Sequence, residues 1–430
     1  MAKICTMKIR YAGLLLFFAQ VYLTFWGVKH FSKYWNPVVL LAISLGIGYL
    51  WFRILLNDQR ETDRLPGDSI GWRTKALGAL VGVLGMLSSY EELRKLFVKF
   101  NPPSKFSDVL PQLEALYTRF SQGIFPYQPV DVGTHVAYPV YLPFHWLPIG
   151  ISDLLHMDTR WSGYIFLVIA AGIYGYLLAR KTGALANLIL AALLPAMAFW
   201  GYVLWGREDI PITYELVIAA YYLVLAAGLA RHRIGWIGAG LILCLLSRYT
   251  LVFWVPLFAI FFWQNESLRR NIALWMSVAA SILLVYVFPF LLKNPGVFLE
   301  GIAYHNGAAV AEWQGYGDPP VSWTMELGVH FALHMRNLTS GDAEHQVFIA
   351  RVIQAAAMLS VFFAGWWGYR RWRDRIHYSD FSLLMLYVFI LFFYNFGPLT
   401  YRYYLIVPLM LSAVICGRIW LSEPKAGRAT

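Results

Sequence analysis

Asp108 opens the stretch FSDVLPQLEALYTRFSQG, and its carboxylate can take a proton from an attacking hydroxyl if the fold holds the two together. Two other short stretches carry complementary chemistry. WGREDIP at 205–211 offers Arg207, Glu208 and Asp209, and GPLTYRYYLIVP at 397–408 offers Tyr401 and Arg402. Arg248 in LLSRYTLVFWVP adds a further guanidinium, and His305 in IAYHNGAAV a further titratable ring. A fixed, forked guanidinium suits an anionic oxygen on which charge develops. A base and such cations together suit transfer of a group from an anionic leaving group to a hydroxyl. Each residue also has a plainer reading. Asp108 follows Ser107 and precedes Pro111, so it fits a helix cap. Asp209 lies two residues before Pro211 and fits the same role, with Arg207 and Glu208 solvated beside it. Arg402 fits a side chain snorkelling to an interface, Arg248 a tight turn, and His305 a satisfied loop histidine.

The elements that must position these groups are apolar. The 430 residues are 59% hydrophobic and 14% charged, far from the composition of a water-soluble domain. Apolar runs predict spans near 11–28, 36–56, 76–90, 161–179, 183–204, 211–229, 234–247, 249–264, 272–292, 347–368, 380–396 and 403–420. The expected fold is therefore an all-α polytopic membrane protein of about 12 transmembrane helices (11 to 13), forming a single transmembrane domain over 1–430. The segment 1–56 reads as an N-terminal hairpin. Its first span reads as a retained anchor, since no small-residue cleavage site follows it.

The net charge of +11 tests a nucleic-acid reading, and its distribution rejects it. With the N-terminus inside, alternate connections collect more than half of the basic residues. Lys3, Lys8, Arg10, Arg60, Arg64, Arg73, Lys75, Arg180, Lys181, Arg231, Arg233, Arg269 and Arg270 fall inside. So do Arg370, Arg371, Arg373, Arg375, Arg418, Lys425 and Arg428. This lysine and arginine bias sets orientation. Both termini are expected in the cytoplasm of a cell bounded by this membrane, with Asp108, Asp209 and Arg402 all at the outer face.

Two connections exceed turns, 91–160 and 293–346, and both fall outside under this topology. YEELRKLFVKF places Leu93, Leu96, Phe97 and Phe100 on one face, the pattern of a short interfacial helix. In the Asp108 stretch Val109, Leu113, Leu116, Tyr117 and Phe120 recur at helical spacing, and Gly123 supplies a stop. YPVYLPFHWLPIGI, broken by Pro139, Pro143 and Pro148, is expected to dip part-way into the outer leaflet. The three cysteines, Cys5, Cys244 and Cys416, show no disulfide or metal spacing.

Taken in order, these features resemble the GT-C superfamily of membrane glycosyltransferases, closest to its bacterial mannosyltransferase-like branch. The resemblance rests on Asp108 through Gly123 with Pro126-Tyr127 and Tyr138-Pro139, on the GREDIP turn, on LLSRY, and on YRYYLIVP, across roughly residues 76–420. It implies an enzyme of the plasma membrane that moves a sugar, mannose on the family pattern, from a polyprenyl-phosphate carrier to a lipid, glycan or protein acceptor. It implies Asp108 as base, Arg402 and Arg248 on the donor phosphate, and Asp209, Glu208, Arg207, His305, Tyr138 and Tyr401 around the substrates. The chain departs from the pattern in its extra hairpin and in a single Asp108 where an acidic pair is usual. That departure leaves a magnesium or manganese ion without a residue set that calls for it. Zinc is not expected, because His, Cys and carboxylates show no ligand spacing.

Two other functions compete. A transporter or flippase would place binding groups near mid-membrane and often shows internal repeats, and none is visible here. A polysaccharide polymerase or ligase would use the second long loop, with His305, His330, His334, Arg336 and His345.

Overall fold

The computed structural model describes residues 2–57, 71–102, 105–133, 135–179, 185–315, 323–399 and 401–422. Arg60, Arg64, Arg180, Lys181, Lys425 and Arg428 therefore lie outside the described residues, as does the side chain of Lys3. The fold is all-helical apart from one minimal hairpin. Helix α1 (Ala2–Asn57) would be roughly 80 Å long if straight. It breaks at Ser32, whose φ is 59°. Its two arms lie side by side, because the Gln20 side-chain amide donates to Ser44 Oγ at 2.8 Å.

Four elements build the first long connection after α2 (Trp72–Leu87). Helix α3 (Tyr90–Lys99) buries Leu93, Leu96 and Phe97 on the face its sequence pattern marks out. Helix α4 (Val109–Ser121) ends before Gly123, whose φ of 74° suits a residue without a side chain. The strands β1 (Val130–Asp131) and β2 (Val136–Ala137) pair antiparallel, an element the sequence reading does not anticipate. Arg119 of α4 holds this region by donating to the carbonyls of Pro126, Gln128 and Pro129. The proline-broken apolar stretch becomes two short helices, α5 (Pro143–Trp146) and α6 (Ile149–Leu154).

The bundle then runs through α7 (Arg160–Leu178), α8 (Leu185–Trp205), α9 (Glu215–Ala230), α10 (Ile234–Leu245), α11 (Val255–Asn265) and α12 (Leu268–Ile282). A π-helical segment, Leu283–Leu291, continues α12 around Pro289, which has no N–H for the regular ladder. Helices α13 (Pro295–Gln314), α14 (Trp323–Glu326) and α15 (Ala332–Leu338) form the second long connection. Helices α16 (Ala343–Trp372), α17 (Tyr378–Asn395) and α18 (Ile406–Leu421) close the chain. Beyond Glu215 at its first residue helix α9 is apolar all round, and it is buried at every residue, so it is the central post of the bundle.

Among the described residues eight helices are long and apolar enough to cross a membrane. The twelve expected spans differ from this in two places. Those at 11–28 and 36–56 belong to the one broken helix α1. Those at 211–229, 234–247 and 249–264 yield apolar helices of 16, 12 and 11 residues. Three-ten turns at Ile210–Ile212 and Tyr249–Phe253 take the ends of two of them, each beside a proline.

Helices α2 and α7 touch backbone to backbone. A Cβ added at Gly78 would lie 2.3 Å from the Gly175 carbonyl oxygen, and one at Gly82 would lie 2.3 Å from that of Ala171. Small residues four apart on both helices permit this approach, as is common between helices in lipid. Gly78→Val should therefore lower stability by about 1–3 kcal/mol, the usual cost of overpacking. Thermal unfolding in detergent checks it, with Gly71→Val as the unaffected control, since no atom lies within 4 Å there.

Candidate functional site

The turns after α8, α10 and α17 and the first-loop helices meet at one end of the bundle. Arg160, the first residue of α7, organises that meeting. It is 2% exposed and donates to the carbonyls of Phe97, Phe100 and Pro211 at 2.9, 3.0 and 3.3 Å. Asp158 neutralises it at 2.5 Å. Arg160 thus ties the end of α3 and the approach to Asp108 to the turn that carries Asp209. Nothing in its sequence setting marks it, because its acceptors lie about 50 and 60 residues away and are backbone.

Asp108 does not cap α4. Its side chain makes no capping bond, and Ser107 Oγ instead accepts the Val109 N–H at 3.1 Å. The carboxylate is half exposed, and His135 Nε2 stands 3.9 Å away. It lines a cavity of about 400 Å³ together with Glu208, Tyr141, Tyr304, His305 and Tyr401. Burial pushes the Tyr141 hydroxyl well up, with the charge of Asp108 adding to it, so that wall presents a neutral O–H. Burial pushes the His305 ring down while Asp108 pulls the other way, and the ring is uncharged at neutral pH.

A second cavity of about 730 Å³ adjoins the first, and the two share Tyr141, His305, Leu399 and Tyr404 in their walls. This one is mostly apolar. Its rim includes Tyr249, Leu299 and Ile302, which are 51%, 70% and 55% exposed. At its inner wall are His145, Ser247 and Arg248. The Arg248 guanidinium is ion-paired with Glu215, donates to the Tyr394 hydroxyl oxygen at 3.3 Å, and stands 4.4 Å over the Tyr404 ring. Glu215 is a carboxylate at the first residue of a buried helix, and the motif YEL at 214–216 is the only sequence sign of it.

Arg402 and Asp209 form a two-pronged pair, Nε to Oδ2 at 2.6 Å and Nη2 to Oδ1 at 3.2 Å. Asp209 is 1% exposed, and burial pushes its carboxyl up against the pull of Arg402. The pair borders the site but lines neither cavity. Of the nine residues named from the sequence, Asp108, Glu208, His305 and Tyr401 share the polar cavity, and Arg248 and His305 share the apolar one. Arg207 is exposed, and Tyr138 is half-buried against Tyr304, with ring centres 5.9 Å apart; both stay outside the two linings.

The opposite end of the bundle holds a group that sequence spacing does not reveal. His232, His377 and Asp380 bring ligand-type atoms within 4.8 Å of one another. Several of these atoms already have partners, however. Asp380 accepts from His232 at 2.8 Å and from Arg418 at 3.2 Å, and His377 Nδ1 accepts the Ser379 N–H. Burial and the neighbouring His232 push His377 down to about 4. The arrangement ties the α9–α10 turn to the start of α17 and the end of α18.

No family model, curated protein or solved structure matches this chain.

Proposed function

We propose that this protein is an integral membrane glycosyltransferase, with about twelve spans, cytoplasmic termini and its two cavities at the outer face of the plasma membrane. The observation that carries the reading is the shared wall: a carboxylate uncommitted to structure faces a polar cavity that adjoins an apolar one with an exposed rim and a half-buried guanidinium. The polar cavity suits a sugar and an acceptor hydroxyl, and the apolar cavity suits the first isoprene units of a polyprenyl-phosphate carrier entering sideways from lipid.

In the reaction Asp108 takes the proton of the acceptor hydroxyl as its oxygen bonds to the anomeric carbon. The bond from that carbon to the phosphate oxygen breaks, and its electron pair leaves with the phosphate. Arg248, on the apolar side of the shared wall, stabilises the departing charge, and Arg402 acts one step back by fixing the Asp209 turn beside Glu208. A single displacement inverts the anomeric configuration.

Purified protein in nanodiscs, offered polyprenyl-phosphate carriers with different labelled sugars, should consume one of them, mannose being the sugar the resemblance suggests. Chromatography of the lipid products reads the result. Flux of labelled substrate into proteoliposomes with no covalent product would replace this reading by transport.

A polymerase or ligase working from the second long connection has one observation in its favour, since His305 of α13 lines both cavities. Loss of turnover in His305→Ala with Asp108→Asn still active would select it. The transferase reading expects the reverse, with His305→Ala losing about tenfold as a wall residue whose hydrogen bond to substrate is removed.

A further inference from the structure

His145 is 1% exposed, and its Nε2 has no hydrogen-bond partner among the described residues. A buried polar atom left unpaired is costly, and such exceptions ask for an explanation. The residue forms part of a wall of the apolar cavity, which it shares with Ser247 and Arg248. The short helix α5 holds the ring in place: Tyr141 packs edge-on at 5.0 Å, and the Tyr214 ring lies parallel at 6.3 Å.

We infer that His145 Nε2–H is a donor to the phosphate of a lipid phosphomonoester or phosphodiester bound in the apolar cavity, and that it, with Arg248, distinguishes such a lipid from the uncharged alcohol. The chemistry of the wall supports this ligand class. Arg248 is already paired with Glu215, so the cavity offers an incoming anion less than one full positive charge. A neutral donor that needs a partner supplies the missing contact without adding a buried charge to the empty cavity. Burial and Arg248 both push the ring towards its neutral form when nothing is bound, and an arriving anion acts in the opposite direction. Binding therefore strengthens as pH falls, because the complex takes up a proton that the free protein does not hold. His145 is a positioning residue of the donor lipid under the proposed function, and the inference rests on that reading only for the sugar the lipid carries.

The experiment measures binding of a fluorescent polyprenyl phosphate, of the matching polyprenol, and of inorganic phosphate to the full chain in nanodiscs between pH 8 and pH 6. Wild-type protein should prefer the phosphate over the alcohol by about 100-fold, bind inorganic phosphate weakly, and tighten on the lipid phosphate as pH falls. His145→Phe should lose about tenfold of that preference with polyprenol binding unchanged, and His145→Gln should recover most of it but keep only the pH dependence of the phosphate's own titration. An unchanged preference in His145→Phe overturns the inference. If that variant does not fold, a wild-type pH profile that His145→Gln reproduces overturns it instead, since the phosphate's own titration is common to both. Equal binding of inorganic phosphate and lipid phosphate would place the anion without the lipid and also overturn it. Phosphate preference that depends on His145 in a protein that transfers no sugar would remove the transferase reading and leave this one standing.

Discussion

Asp108→Asn should lower sugar transfer by about 10²- to 10⁴-fold, the range a general base contributes, with no loss of folded protein. The substitution separates the two roles this residue fits. Asparagine caps a helix as well as aspartate does, so a structural Asp108 would tolerate it. The geometry already removes the capping role, since Ser107 holds the Val109 N–H and the Asp108 side chain makes no capping bond. What asparagine cannot do is take a proton. Under the proposed function the loss should therefore appear in kcat, with donor binding close to wild type, because that reading assigns the donor phosphate to Arg248 and His145 across the wall. Initial rates at saturating donor, together with melting in detergent, measure both parts. Turnover within about twofold of wild type would remove Asp108 as base, since even the weakest general base exceeds that margin.

Much of this arrangement is legible in the sequence, and the part that is not has physical causes. Helix identity and order follow from apolar runs that no soluble fold would carry. The amphipathic face of α3 and the end of α4 at Gly123 follow from local spacing and from one backbone angle. The pairing of Asp209 with Arg402 is not local, because 193 residues separate them. Their common end of the bundle was readable from topology alone; their mutual contact was not. Arg248 carries a signal as a charge between two apolar runs, whereas its partner Glu215 lies inside the apolar run at 211–229 with nothing to pair the two. Arg160 and His145 carried none. Arg160 acts through backbone carbonyls, which every sequence has. His145 matters because its ring nitrogen lacks a partner, and a missing contact leaves no trace in residue type.

The same facts divide the labour at the site. The guanidinium of Arg402 is spent on Asp209, and that of Arg248 on Glu215, so neither is a bare charge waiting for an anion. Such pairs cost free energy to bury, and they give directional donors in return. Under the proposed function a phosphate arriving at Arg248 would meet a cation whose position is fixed before binding, which is how a preorganised site gains over water.

The Asp209–Arg402 pair should accordingly behave as a fixture and not as a source of stability. Asp209→Ala leaves the Arg402 guanidinium in a mostly buried setting without its two-pronged partner, and should destabilise the protein by about 3–5 kcal/mol. Replacing both residues at once, Asp209→Leu with Arg402→Met, removes the desolvation cost together with the attraction and should leave stability within about 1 kcal/mol of wild type or above it. Linkage gives the same sign independently. Burial holds the Asp209 carboxyl above its ordinary value in spite of Arg402, so the folded state binds that proton more tightly than the unfolded chain does. Its contribution to stability is then complete below the unfolded value and is lost as pH rises through the folded one. At neutral pH the charged carboxyl is a net cost, and any advantage of the double variant over wild type should shrink as the medium is acidified. Urea or thermal unfolding of the three proteins at two pH values measures all of this. A double variant as unstable as Asp209→Ala would show that the pair contributes net stability, and the turn at Gly206–Pro211 would then owe its position to the charges themselves.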